Sequence, residues 1–137
     1  MEHPSPEQAV AAVNGFRGAL AESMGIVITE VSPALVAATM PVAGNTQPYG
    51  LLHGGASAVL AESIGSLAAA LHAGPERIAL GLELNCTHHR AVREGHVVGT
   101  ATPLVRGRSV ASYSISITDE DGRPVCTARL TCLLRDR

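Results

Sequence analysis

With 137 residues, 46% of them hydrophobic, the chain has enough apolar material for one packed domain and too much for a disordered segment. A formal charge of -2 and only three aromatic rings, Phe16, Tyr49 and Tyr113, exclude the basic footprint and stacking surface that a nucleic-acid partner needs. No basic stretch followed by an apolar core opens the sequence, and Glu62, Gly65 and three serines interrupt the one long apolar run, so a cytoplasmic protein that neither enters nor spans a membrane is expected.

In chain order, Pro4-Ser5-Pro6-Glu7 predicts a helix capped by Ser5, with Val10, Val13, Phe16, Leu20 and Met24 at helical spacing and Gly25 as its end. Ile26 to Val31 and Leu35 to Val42 follow as two strands separated by Ser32-Pro33. Pro48 and Gly50 then mark a loop, and Gly54-Gly55 opens an Ala/Leu-rich run to His72. That run carries one charge, Glu62, and is otherwise small or apolar on every side, which predicts a helix buried all round.

Beyond Gly74-Pro75 the pattern changes to period two. The alternation assigns Ile78, Leu80, Leu82, Leu84, Cys86 and His88 to one face of a strand. Glu94-Gly95, Arg106-Gly107-Arg108 and Asp121-Gly122 read as hairpin turns. Between the last two, Ala111, Tyr113, Ile115 and Ile117 alternate inward against serines and Thr118, and the final strand puts Cys126, Ala128, Leu130 and Cys132 on one face. The three cysteines are odd in number and lack Cys-x-x-Cys spacing, so reduced, packed thiols are expected rather than a disulfide framework or a zinc site. The sum is an α+β domain in which a curved, mainly antiparallel sheet wraps one long helix, and a second copy of the chain is expected to cover the helix's open side across a two-fold axis.

The residues also suggest chemistry. Amides of Gly54 and Gly55 at a helix N-terminus are unpaired donors aligned with the helix dipole, placed as an oxyanion site would need, with His53 beside them. Glu62 is the acid that would activate water or attack directly, and Ser66, one turn later on the same face, would hold it or the water. His88, facing inward, is either a substrate contact or a satisfied core histidine. The sequence contains no Gly-x-Ser-x-Gly elbow, P-loop, dinucleotide fingerprint or His-Glu-x-x-His motif. Hydrolysis without metal or cofactor is the simplest expectation.

Gly50-Leu51-Leu52-His53-Gly54-Gly55-Ala56-Ser57, Ala61-Glu62-Ser63-Ile64-Gly65-Ser66, Gly81-Leu82-Glu83-Leu84-Asn85 and His88 together resemble the hotdog-fold acyl-CoA thioesterases. The branch most similar contains 1,4-dihydroxy-2-naphthoyl-CoA hydrolase, the enterobactin proofreading thioesterase and the phenylacetate-pathway thioesterases, with 4-hydroxybenzoyl-CoA thioesterase as a relative. The resemblance extends from about Ala38 to Leu133 in element order. It implies Glu62 as base or nucleophile, Gly54 as the main oxyanion amide beside His53, Gln47 near the thioester or water, and Ser63 and Ser66 in support. Gly55, Tyr49 and His88 would line the substrate pocket, and Arg90, Arg106 and Arg108 would lie near the CoA nucleotide.

The expectation is therefore one hotdog domain over residues 1–137, with an N-terminal helix in 1–24 and the core in 25–137. It would hydrolyse an aryl-CoA or related acyl-CoA, coenzyme A being part of the substrate rather than a cofactor. Homodimers with shared active sites, assembled as a dimer of dimers, complete it. An acyl-CoA binding module without catalysis and a hotdog hydratase or dehydratase are the alternatives.

Overall fold

A computed structural model describes residues 2–137. Its order is α1 (Pro6–Gly15), α2 (Ala19–Ser23), β1 (Val27–Val31), β2 (Val36–Pro41), α3 (Gly54–Ala73), β3 (Arg77–His88), β4 (His96–Arg106), β5 (Val110–Thr118) and β6 (Pro124–Asp136). The six strands form one antiparallel sheet in the order β1-β2-β4-β5-β6-β3, and α3 packs against β2 through β6. This is the long helix wrapped by a curved sheet that the sequence predicts.

The core lies between α3 and the inner face of the sheet. Leu60 and Ile64 of α3 are fully buried against inward-facing residues such as Ile115, Ile117 and Leu130, each side chain contributing about 1.5–3 kcal/mol by leaving water. Gly65 permits this approach, because a Cβ there would stand 2.6 Å from Leu130 Cδ2. On β5 and β6 the alternation holds, with Ala111, Tyr113, Ile115, Ile117, Cys126, Ala128, Leu130 and Cys132 all buried.

Four expectations need correction. The N-terminal helix is two helices, broken where Gly18 takes a φ of +87°. Ser5 does cap α1, in a reciprocal box with Gln8. Polar groups fix its placement on β1: Asn14 exchanges two 2.9 Å bonds with the backbone of Ile28, and Arg17 Nη1 donates to Ile26 O at 2.7 Å. Phe16, assigned to the apolar face, is consequently 93% exposed.

The inward alternation of β3 fails at a bulge. Gly81 pairs with Cys132 and Glu83 with Thr131, so Leu82 is an extra residue on β3. Ala79 and Gly81 face the helix before it, while Leu84, Cys86 and His88 face the helix after it. Leu80 and Leu82 are exposed on the outside. The third correction is that Glu94-Gly95 does not close a hairpin, since β3 pairs only with β6 and β4 lies between β2 and β5. Residues 89–95 instead cross one end of the sheet.

Finally, α3 is not buried all round within one chain. Among the described residues it alone is long and apolar enough to cross a membrane, yet seven of its residues are buried inside the curl of the sheet. A single sheet covers one side of the helix, and Glu62, beside the edge strand β3, stays exposed.

Candidate functional site

The loop before α3 is held from several directions. Asn45 Nδ2 donates to Met24 O and Pro41 O at 2.8 Å, His53 N to Asn45 O at 2.9 Å, and Leu52 N to Val92 O at 2.8 Å. Gly50, with φ +79°, closes the turn over Gln47, whose Oε1 accepts from the amides of Tyr49 and Leu51. With that oxygen committed, the Gln47 NH2 group is what remains to offer, a donor suited to a carbonyl or water oxygen. Tyr49 stands 83% exposed at the loop tip.

Helix α3 starts at His53, whose Nδ1 accepts the Gly55 amide at 2.8 Å. The bond requires Nδ1 unprotonated, which places the ring proton of the neutral form on Nε2. Ala56 N and Ser57 N both donate to His53 O, at 2.9 and 3.3 Å. Of the first-turn amides, only Gly54 N donates to no partner among the described residues. The expectation of two free glycine amides is thereby corrected to one, because the His53 ring occupies the other.

A pocket of about 420 Å³ opens there, lined by Gln47, Gly54, Ser57, His88 and Arg90 with Leu51, Leu52, His89, Ala91 and Val125. The His88 ring lies against Gly54, its Nε2 3.0 Å from where a Cβ on Gly54 would stand. His89, also in the lining, bonds Thr127 Oγ1 at 2.9 Å. Ser57, buried three residues after Gly54, is a pocket residue to which the sequence alone assigned no role. Its spacing from Gly54, which puts both on one helix face, was the available signal.

Glu62 belongs to a second group halfway along α3. It faces β3, where its Oε1 is 2.9 Å from the position of a Cβ on Gly81. Ser63 and Ser66 line an apolar pocket of about 520 Å³ with Val13, Phe16, Ala21, Ile26, Ile28, Leu67, Ala70 and Ala79 among its walls. Burial pushes the Cys132 thiol up; a bond from the Ser66 hydroxyl opposes this and the Glu62 charge adds to it. Burial, with Cys86 alongside, pushes Cys126 up to about 12. Both buried thiols are therefore protonated near neutral pH and are not nucleophiles.

The residues expected at the site thus form two clusters, Gln47, Gly54, His88 and Arg90 at the start of α3 and Glu62, Ser63 and Ser66 at its middle. Arg106 and Arg108 lie elsewhere, by the C-terminal end of α3. Arg106 Nη1 donates to Pro33 O at 3.0 Å, the Arg108 carbonyl accepts from Arg77, and His72 is half-buried with its Nε2 2.8 Å from Gly107 O.

Residues 49–126 match the family model described as the thioesterase superfamily. The proofreading thioesterase EntH of Cronobacter sakazakii is 48% identical over 115 residues, which cover 83% of this chain and 84% of its own. The structure of thioesterase HI1161 from Haemophilus influenzae superposes with a TM-score of 0.87 at 34% identity, over 98% of this chain and 93% of that one. SAV0944 of Staphylococcus aureus, solved as a glutamate-to-alanine variant, gives 0.83 at 32% identity over 87% and 100% of the two chains. A second structure of it replaces a glutamine fifteen residues earlier. With its sheet curled around one helix and relatives of this similarity over nearly the whole chain, the protein belongs to the thioesterase superfamily, has the hotdog fold, and is a thioester hydrolase.

Proposed function

We propose that the protein hydrolyses an aryl-CoA or related acyl-CoA at sites shared between two subunits, with Glu62 as general base or nucleophile and the Gly54 amide as oxyanion donor. The observation that carries this reading is the unpaired Gly54 amide at the N-terminus of a 20-residue helix, against the His88 ring and in one pocket with Gln47. Such a donor stabilises the oxygen that becomes negative when a thioester carbonyl is attacked. Gln47 and Glu62 have the fifteen-residue spacing of the glutamine and glutamate replaced in SAV0944, which supports a joint role.

Eight residues separate Gly54 from Glu62, roughly 12 Å along the helix axis, too far for both to serve one carbonyl. Two helices packed antiparallel would set Gly54 of one subunit opposite Glu62 of the other. The exposure of Glu62 in the single chain is what such a partner would remove. The acyl group would then enter the apolar pocket beside Ser63 and Ser66, whose lining suits an aromatic or short aliphatic acid. Arg90 at the rim of the first pocket would meet the CoA end, with Arg106 and Arg108 as more distant candidates for its phosphates.

Release of free thiol from a panel of aryl-CoAs, aliphatic acyl-CoAs and carrier-protein thioesters tests the reading. Aryl-CoA turnover well above that of long-chain acyl-CoA is expected. Absence of thiol release from every CoA ester, or clear preference for carrier-bound substrates, would overturn the substrate assignment.

A further inference from the structure

Gly81 is a glycine whose backbone does not ask for one. It is not among the residues with positive φ, so an alanine could adopt its conformation without strain. Its pairing with the buried Cys132 turns its missing side chain toward α3, immediately before the Leu82 bulge. A Cβ on Gly81 would stand 2.9 Å from Glu62 Oε1, 3.4 Å from Glu62 Cδ and 3.8 Å from Leu130 Cδ1. The Glu62 carboxylate therefore occupies the space that any other residue at position 81 would fill.

We infer that Gly81 is a positioning residue for the hydrolytic reaction, seating the Glu62 carboxylate against β3 by the absence of a side chain; this rests on the assignment of Glu62 as base or nucleophile. The atoms that crowd a methyl at this position distinguish such a role from ordinary packing. The group closer than van der Waals contact is the far end of a flexible side chain, and Leu130 is at normal contact distance. A methyl is thus accommodated by moving the carboxylate, with the backbone and core left in place. Displacement of a reacting group by about 1 Å lowers turnover by as much as a hundredfold.

Gly81→Ala is expected to lower kcat about ten- to hundredfold, with KM changed by less than about threefold and an unaltered circular dichroism spectrum and melting temperature. Glu62→Asp draws the carboxylate back by one methylene and should itself slow turnover. If the methyl acts through the carboxylate, Gly81→Ala/Glu62→Asp should be no slower than Glu62→Asp alone, because the two lesions strike the same group. Losses that multiply in the double variant would overturn the inference, as would an unfolded Gly81→Ala protein, which would mark position 81 as packing. Full activity of Gly81→Ala alongside an inactive Glu62→Gln would overturn it while leaving the base assignment standing. Near-normal activity of Glu62→Gln would remove the base assignment and this inference together.

Discussion

Gly54 and His88 meet so closely that a methyl between them would be tighter than ordinary contact, since a Cβ on Gly54 would stand 3.0 Å from His88 Nε2 and 3.2 Å from Cε1. Gly54→Ala should push the ring aside and crowd the approach to the one unpaired amide of α3. Turnover should fall by about a hundredfold or more with the fold retained by circular dichroism. Unchanged turnover would remove Gly54 from the oxyanion role.

Glu62→Gln preserves size and removes the base. Because this side chain is exposed in the single chain, folding of the subunit should be unaffected, while kcat falls at least about a hundredfold and substrate still binds. Single-turnover kinetics together with equilibrium binding of the substrate separate the two quantities.

Shared sites make a quantitative prediction for mixed subunits. Glu62→Ala and Gly54→Ala homodimers should each be inactive, whereas a heterodimer carries one site with both lesions and one with neither. Random remixing should restore roughly a quarter of wild-type activity. Exchange confirmed by mass spectrometry with no return of activity would refute the shared site.

The hydroxyl of Tyr113 is the buried side-chain polar atom without a hydrogen-bond partner among the described residues, and burial, partly offset by the Arg106 charge, raises its pKa. An unpaired buried hydroxyl costs about 1–3 kcal/mol, so Tyr113→Phe should raise stability by roughly 1 kcal/mol in chemical denaturation. Thioesterase activity should be unchanged.

Asp119 anchors the β5–β6 hairpin, with Oδ1 accepting from the amides of Asp121 and Arg123 at 3.0 and 2.9 Å and Oδ2 from Arg123 Nε at 2.7 Å. Burial by itself would raise its pKa, but these bonds and the Arg123 charge outweigh it and leave the carboxyl below its ordinary value. The stabilisation is then fully present above the ordinary value near 3.9 and is lost as pH falls through the lowered folded value. Urea midpoints of the wild type should drop across that acid range, and those of Asp119→Asn should drop less steeply.

Much of this architecture is legible in the residues. The clean alternation of β5 and β6 identified their buried faces because both strands lie inside the sheet and pack against α3 along their length. The Gly54-Gly55 pair and the isolated Glu62 pointed to the two clusters on that helix. What escaped was decided by contacts that a linear pattern does not carry. Asn14 and Arg17 dock α1 through polar bonds, so its apolar spacing misplaced Phe16. The capture of the Gly55 amide by His53 depends on one imidazole rotamer. The exposure of Glu62 within one chain follows from a sheet that curls around only part of the helix.

The Leu82 bulge has counterparts. Leu104 on β4 and Thr29 on β1 are likewise extra residues opposite an uninterrupted neighbour. Leu82 and Leu104 are 59% and 54% exposed, large apolar side chains that no partner strand accounts for within the chain. Removing either would leave every flanking residue on its present face, because the surplus residue drops out of the ladder and the alternation closes up. What would change is the local bend and twist that the surplus imposes. The curvature of this sheet is thus written in the number of residues per strand, separately from their hydrophobicity. A deletion at position 82 would preserve the core's composition while opening the curl beside Glu62, altering the shape of the molecule with its inside and outside unchanged.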